Sequence, residues 1–321
     1  MTSTPARAAG SSPGGASTAT GPGPGAEPMT VVPLRHTGRW ALAVVVLALT
    51  AWGLITLLSA PNLEPDVIWQ YLFDQTVLHG VRVTLTLTVV AMVAGLLGGM
   101  ILAVMRLSGN PVLRWIAWVF VWFFRGTPLL VQIIFFGFLG ALFTRIHLEI
   151  PLVGLTLYDA KTSSVITGTT AALLALSLNE MAYAAEIVRG GILSIDKGQS
   201  EAAHALGMTP GLTMRRIVLP QAMRVIIPPL GNETITMLKS TALVSVIAGS
   251  DLLTSTQTIY QQNYKVIPLL TVAALWYLLI VSILSAVQVV LERRFGRGFS
   301  ESRGGAARRR WFGGARREVA A

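Results

Sequence analysis

The 321 residues are 53% hydrophobic and only 12% charged, with mean hydropathy +0.62, which is too apolar for a chain surrounded by water on all sides. The 25 Lys and Arg outweigh 15 Asp and Glu, but they lie between apolar runs and in the tails, so they speak for membrane topology rather than nucleic-acid binding. The absence of cysteine excludes disulfides, thiolate chemistry and Cys-based metal sites, and four scattered histidines offer no metal-ligand spacing.

Residues 1 to 34 are rich in Gly, Pro, Ser, Thr and Ala, too poor in large apolar side chains to offset ordering entropy, and are expected to form a disordered arm. An uncharged run of about 20 residues matches the roughly 30 Å hydrocarbon core at about 1.5 Å per residue. By that measure Trp40 to Ala60, within a unit of residues 35 to 62, is the first span. Leu58-Ser59-Ala60 looks like a signal cleavage site, but the run is longer than a signal-peptide core, so a retained helix is expected. Further spans are predicted at about residues 83 to 105, 115 to 143, 165 to 185, 225 to 248 and 266 to 291. Backbone groups have no water partner in lipid, and these runs lack the two-residue alternation of barrel strands, so the fold class is all-α integral membrane with six spans.

Orientation follows from the positive residues. Placing the N-terminus, the turn from Arg106 to Arg114, the loop from Arg189 to Arg224 and the C-terminus in the cytoplasm collects 19 of the 25 Lys and Arg on that side, so both termini are expected to be cytoplasmic. The basic tail, residues 296 to 321, then lies near anionic lipid.

The loop of residues 189 to 224 is too polar to span and is punctuated like a pair of helices. Lys197 to Leu206 should form one helix, stopped at Gly207, which can take the left-handed conformation a helix end needs. Thr209-Pro210 supplies an N-cap and first-turn proline for the second unit, which Pro220 should end. Ala202, Ala203 and Ala205 would allow close approach to a partner, which suggests a docking knob; the alternative is an amphipathic loop on the membrane surface.

The run Glu201-Ala202-Ala203, then Gly207, Ile217 and Leu219-Pro220 resembles, in residues and spacing, the EAA loop of permease subunits of binding-protein-dependent ABC importers. Ala182-Tyr183-x-Ala185-Glu186-x-x-Arg189-Gly190-Gly191-Ile192, Leu219-Pro220-Gln221-Ala222-Met223-Arg224, Phe124-Arg125-Gly126-Thr127-Pro128-Leu129-Leu130-Val131-Gln132 and Leu238-Lys239-Ser240-Thr241-Ala242-Leu243 are similar to the branch that imports polar amino acids. The similarity covers residues 75 to 295 and implies a five-helix importer permease core, to which the first helix is an N-terminal addition. It also implies a second permease subunit of the same or a related chain, a cytoplasmic pair of ABC ATPases that bind ATP and Mg, an extracytoplasmic substrate-binding protein and residence in the plasma membrane. Glu201, Ala202, Ala203, Gly207, Ile217, Leu219 and Pro220 would then dock on the ATPase, with Glu201 fixing the loop and Gly207 permitting its turn.

Charges within spans cost at least about 2.5 to 3.5 kcal/mol at the bilayer centre and so must face protein or water. Arg125, where Gly126, Thr127 and Pro128 open the helix backbone, could offer donors to a substrate carboxylate, and Glu180 could accept an α-ammonium. The alternative is that Arg125 and Glu180, or Glu233 and Lys239, pair to hold the bundle; the latter two are six residues apart and cannot pair along one helix. Ser240 and Thr241 could line the pathway or bond across helices, and Gln132, Asn179 and Tyr183 join the candidate set.

No cofactor is expected on this chain itself. The Lys-Thr and Lys-Ser pairs at Lys161 and Lys239 are not preceded by Gly, so there is no P-loop, and no nucleophile and base stand at catalytic spacing. Gly98-Gly99 lies within a span and reads as helix packing. A transport subunit without enzymatic activity is the reading; a stand-alone secondary carrier, using the intramembrane charges for ion coupling, is the alternative.

Overall fold

The computed structural model describes residues 37 to 150 and 155 to 295. The predicted arm and basic tail lie outside the described residues.

Of the described residues, those up to Ser59 fall in one compact unit and those from Ala60 in another. The first contains α1 (Thr37–Leu58), which carries no charge after Arg39. The second opens with a 3-10 turn (Pro61–Leu63) and short α2 (Pro65–Leu72), then α3 (Gln75–Leu107), whose N-cap Asp74 accepts the Thr76 amide at 2.8 Å. Next come α4 (Pro111–Gly126) and α5 (Leu129–Gly137), followed by one-turn α6 (Leu139–Leu142). After α6 the chain forms an antiparallel hairpin of β1 (Arg145–Ile150) and β2 (Leu155–Lys161), pairing Arg145 with Lys161 and His147 with Asp159. One-turn α7 (Thr162–Val165) leads into α8 (Gly168–Leu193). The polar loop holds α9 (Lys197–Ala205) and α10 (Pro210–Thr213); a π turn (Met214–Val218) joins it to α11 (Leu219–Ser240). A 3-10 segment (Thr241–Ile247), α12 (Leu252–Asn263) and α13 (Val266–Phe295) complete the described chain.

Among the described residues four helices, α1, α3, α8 and α13, are long and apolar enough to cross a membrane, and the number rises to six if each of two bent helix pairs is one span. Within the second unit α8 is central, with 61% of its apolar window buried against 39% for α3 and 28% for α13. Its neighbours approach closely because α3 presents glycine: a Cβ on Gly99 would stand 2.6 Å from Ala184 Cβ, and one on Gly98 2.6 Å from Met181 Sδ. That is the small-residue packing expected of Gly98-Gly99. Leu87, Ala91, Ala172, Leu176 and Met237 form the core where α3, α8 and α11 meet.

Four local expectations need correction. The predicted span 115 to 143 is not straight: α4 and α5 meet at 98° across Thr127-Pro128, because Pro128 has no N–H to continue the helix. The span 225 to 248 likewise ends as an α-helix at Ser240 and tightens into a 3-10 segment. Pro220 does not end the second loop helix. It follows the π turn, where the Leu219 amide reaches five residues back to Met214, and a proline near the first turn of α11 costs no hydrogen bond that the helix needs. Finally, the hairpin is a non-helical insertion into an otherwise helical fold. The alternation of Ile146, Leu148 and Ile150 with Arg145, His147 and Glu149 is its period-two signature. It is pinned by the Arg145–Asp159 ion pair at 2.8 Å, and that hydrogen bond holds the Asp159 carboxyl below its usual range.

Candidate functional site

The break between α4 and α5 builds the site. Pro128 cannot donate to the Phe124 carbonyl four residues back, and an orphaned carbonyl within a span would be costly. Two buried amides replace the missing donor: Gln132 Nε2 at 2.9 Å and Asn179 Nδ2 at 3.0 Å both donate to Phe124 O. Gln132 Nε2 also donates to Thr127 Oγ1 at 2.8 Å, and Gln132 Oε1 accepts from Asn179 Nδ2 at 3.2 Å. This network locks the opened backbone onto α8 and leaves Arg125 and Thr127 at the mouth of a cavity.

The cavity, about 490 Å³, is lined by Arg125, Gly126, Thr127, Pro128, Leu129, Asn179, Glu180, Tyr183, Glu233, Thr236, Met237 and Ser240. Eight of the predicted pathway residues therefore meet in one place from α4, α8 and α11. Three do not line it. Gln132 is the support beneath it, Thr241 is fully buried and donates to Leu238 O at 2.7 Å, and Lys239 is exposed on α11 outside the lining. Thr236 and Met237 were not in the predicted set, although Thr236 lies one turn beyond Glu233 and one before Ser240, on the same helical face.

The structural-pair alternative is not what this geometry contains. Among the described residues the ion pairs are Arg106–Glu186, Arg189–Glu186, Arg145–Asp159 and Lys265–Glu64, so Arg125, Glu180, Glu233 and Lys239 have no salt-bridge partner. Arg125 instead lies over the Tyr183 ring, 5.1 Å from its centre. Glu180 is 2% exposed and its Oε1 is buried without a hydrogen-bond partner. Room for it comes from Gly95 on α3, where a Cβ would fall 2.5 Å from Glu180 Cβ. A desolvated carboxyl beside a cavity, left without a protein donor, is suited to take one from a bound molecule.

The second candidate region is the polar loop. α9 is capped by Asp196, whose Oδ1 accepts the Gly198 amide at 2.7 Å, and it ends at Gly207 with φ +78°, the left-handed turn expected there. Thr209 precedes Pro210 as the N-cap, but its side chain makes no capping bond. Gln221 at the start of α11 donates to Gln199 on α9 at 3.4 Å, which ties the knob to the long helix. Ala203 is only 4% exposed and packs within the chain, so it is unavailable to a partner; Glu201, Ala202, Gly207, Leu219 and Pro220 are exposed, and Ile217 is half-buried. Leu206, missed from sequence, is 83% exposed at the tip, a large apolar side chain with nothing covering it.

Residues 95–297 match the family described as binding-protein-dependent transport system inner membrane component. The chain is 45% identical over 282 residues to the arginine transport system permease protein of Corynebacterium glutamicum, covering 86% of this chain and 87% of that one. It is 41% identical over 221 residues to the L-cystine transport system permease protein of Bacillus subtilis strain 168, covering 68% and 86% respectively. Among solved structures it resembles an amino acid ABC transporter crystallised with histidines, with TM-score 0.57 and 36% identity over 68% of this chain and 94% of that one. These matches establish that the chain belongs to the binding-protein-dependent transport system inner membrane component family, the multi-pass inner-membrane permease subunits of ABC importers.

Proposed function

We propose that this permease subunit carries a polar amino acid, with a positively charged side chain preferred, through the cavity between α4, α8 and α11. The observation that carries the reading is the set of three unpaired ionisable groups around one cavity: Arg125 for the substrate carboxylate, and Glu180 and Glu233 for its ammonium and side-chain cation. Two carboxylates against one guanidinium favour a net cationic substrate, in keeping with the arginine permease among the relatives.

In this reading each bent pair is one span, α1 is an added span that keeps the N-terminus in the cytoplasm, and six spans leave both termini inside. The partition into an arm (1 to 34), an added helix (35 to 62), a permease core (75 to 295) and a basic cytoplasmic tail (296 to 321) belongs to the same proposal. The loop knob docks on a cytoplasmic ATPase, where ATP and Mg are bound, and a separate external binding protein delivers substrate. Nucleotide-driven closure of the ATPase pair moves the knob, and the Gln199–Gln221 contact passes that movement to α11, which lines the cavity.

A second permease subunit completes the pathway. Pro229, Asn232, Thr236 and Lys239 form an exposed stripe along α11, spaced three and four residues apart, and a lysine there is too costly to leave against lipid. The stripe therefore faces a second subunit and the water-filled passage between the two. The Cys-free chain allows a direct test: Asn232→Cys labelled with a benzophenone maleimide, then irradiated in membranes while labelled arginine uptake is followed. Capture of a second permease chain, identical or related, together with loss of uptake is expected. Capture of lipid alone, with uptake intact, would put α11 on the outside of the assembly.

A further inference from the structure

A second cavity, about 430 Å³, shares Arg125, Gly126 and Tyr183 with the first and is otherwise walled by Arg106, Trp118, Val121, Trp122 and Glu186. Its charges do not balance. Glu186 is already engaged twice, by Arg106 Nη2 at 3.2 Å and by Arg189 Nη2 at 2.7 Å, so two guanidinium groups share a single carboxylate. Arg106 Nε is buried with no acceptor among the described residues. The surroundings thus supply spare, directional N–H donors and excess positive charge, the requirements for binding a phosphate group.

The walls identify the kind of phosphate. Arg114, Trp118, Trp122 and Arg125 fall on one face of α4, at successive spacings of four, four and three residues. Trp118 and Trp122 stack with ring centres 6.2 Å apart, yet remain 45% and 62% exposed, with Trp115 beside them at 64%. Arg106 closes the apolar run of α3 and Arg114 stands in the first turn of α4, so this end of the face lies where hydrocarbon gives way to headgroups. Indole rings favour that level, and basic side chains there draw acidic lipids, whereas a free phosphate ion has no use for an exposed aromatic wall.

We propose that the recess between α3, α4 and α8 binds the headgroup of an anionic phospholipid, with Arg106 on the phosphate, Arg125 left to the substrate cavity, and Trp118 and Trp122 against the upper acyl chains. The lipid would brace α4, whose far end carries the Pro128 break, and so couple membrane composition to the geometry of the adjoining cavity.

Native mass spectrometry of the full-length chain, offered phosphatidylglycerol and phosphatidylcholine in equal amounts, tests this. Selective retention of phosphatidylglycerol is expected. Arg106→Gln should lower that retention about fivefold, the scale of losing one basic contact to an acidic headgroup. Because Arg106 also pairs with Glu186, a double variant Trp118→Leu, Trp122→Leu leaves the ion pairs in place and should lower retention as well. Equal retention of the two lipids, or undiminished phosphatidylglycerol on the tryptophan variant, would overturn the proposal. Displacement of the lipid by excess inorganic phosphate would overturn it too, by showing a site for a free anion.

Discussion

Gly207→Pro is expected to reduce uptake to background while the chain still inserts into the membrane. Gly207 ends α9 at φ +78°, whereas proline is fixed near −65°, so the knob cannot keep its shape with proline there. A Cβ at this position would meet nothing within 4 Å, so the defect comes from backbone conformation rather than crowding. That separates Gly207→Pro from milder changes. Gly207→Asn should retain most uptake, because asparagine tolerates the left-handed region, and Gly207→Val should fall between, since a β-branched side chain pays at least about 1 to 2 kcal/mol there. Transport of labelled amino acid by vesicles holding equal amounts of each variant gives the order. Normal uptake by a well-inserted Gly207→Pro chain would detach the knob from coupling.

Glu180→Gln should raise the substrate concentration needed for half-maximal uptake by about 10- to 100-fold, since a hydrogen bond to a charged group contributes roughly 1.5 to 3 kcal/mol and about 1.4 kcal/mol is tenfold in affinity. The substitution keeps volume and shape, so the seat against Gly95 is preserved and insertion should not suffer. Arg125→Ala should act in the same direction, whereas Lys239→Ala, outside the cavity lining, should leave half-saturation unchanged. Half-saturation unmoved in both Glu180→Gln and Arg125→Ala would return these charges to a structural role.

What could be read from sequence divides along the range of the physics. The end of α9 at Gly207 and the opening of the backbone near Pro128 were legible because glycine and proline act on their own neighbours. Of the four intramembrane charges singled out from sequence, Arg125, Glu180 and Glu233 share the cavity and Lys239 does not; intramembrane charge is rare enough to mark them, but its rarity does not say which face each one takes. Three features were not legible. Partners such as Arg106 and Glu186, 80 residues apart, leave no local signal. The role of Gln132 depends on a carbonyl orphaned eight residues away on another helix and shared with Asn179. The burial of Ala203 against its own loop reverses a face that composition alone made look free. The hairpin is different: its alternation is present in residues 145 to 150, but six residues are too short a run to stand out between two predicted spans.

The most direct test of the central claim, that this loop couples the permease to an ATPase, is gentle affinity purification of the full chain from its native membrane with identification of every protein that accompanies it. A P-loop ATPase is expected with the wild type and is expected to be lost with Gly207→Pro. Recovery of the chain without any ATPase, in a preparation that still moves amino acids when reconstituted, would contradict the account and make it a secondary carrier.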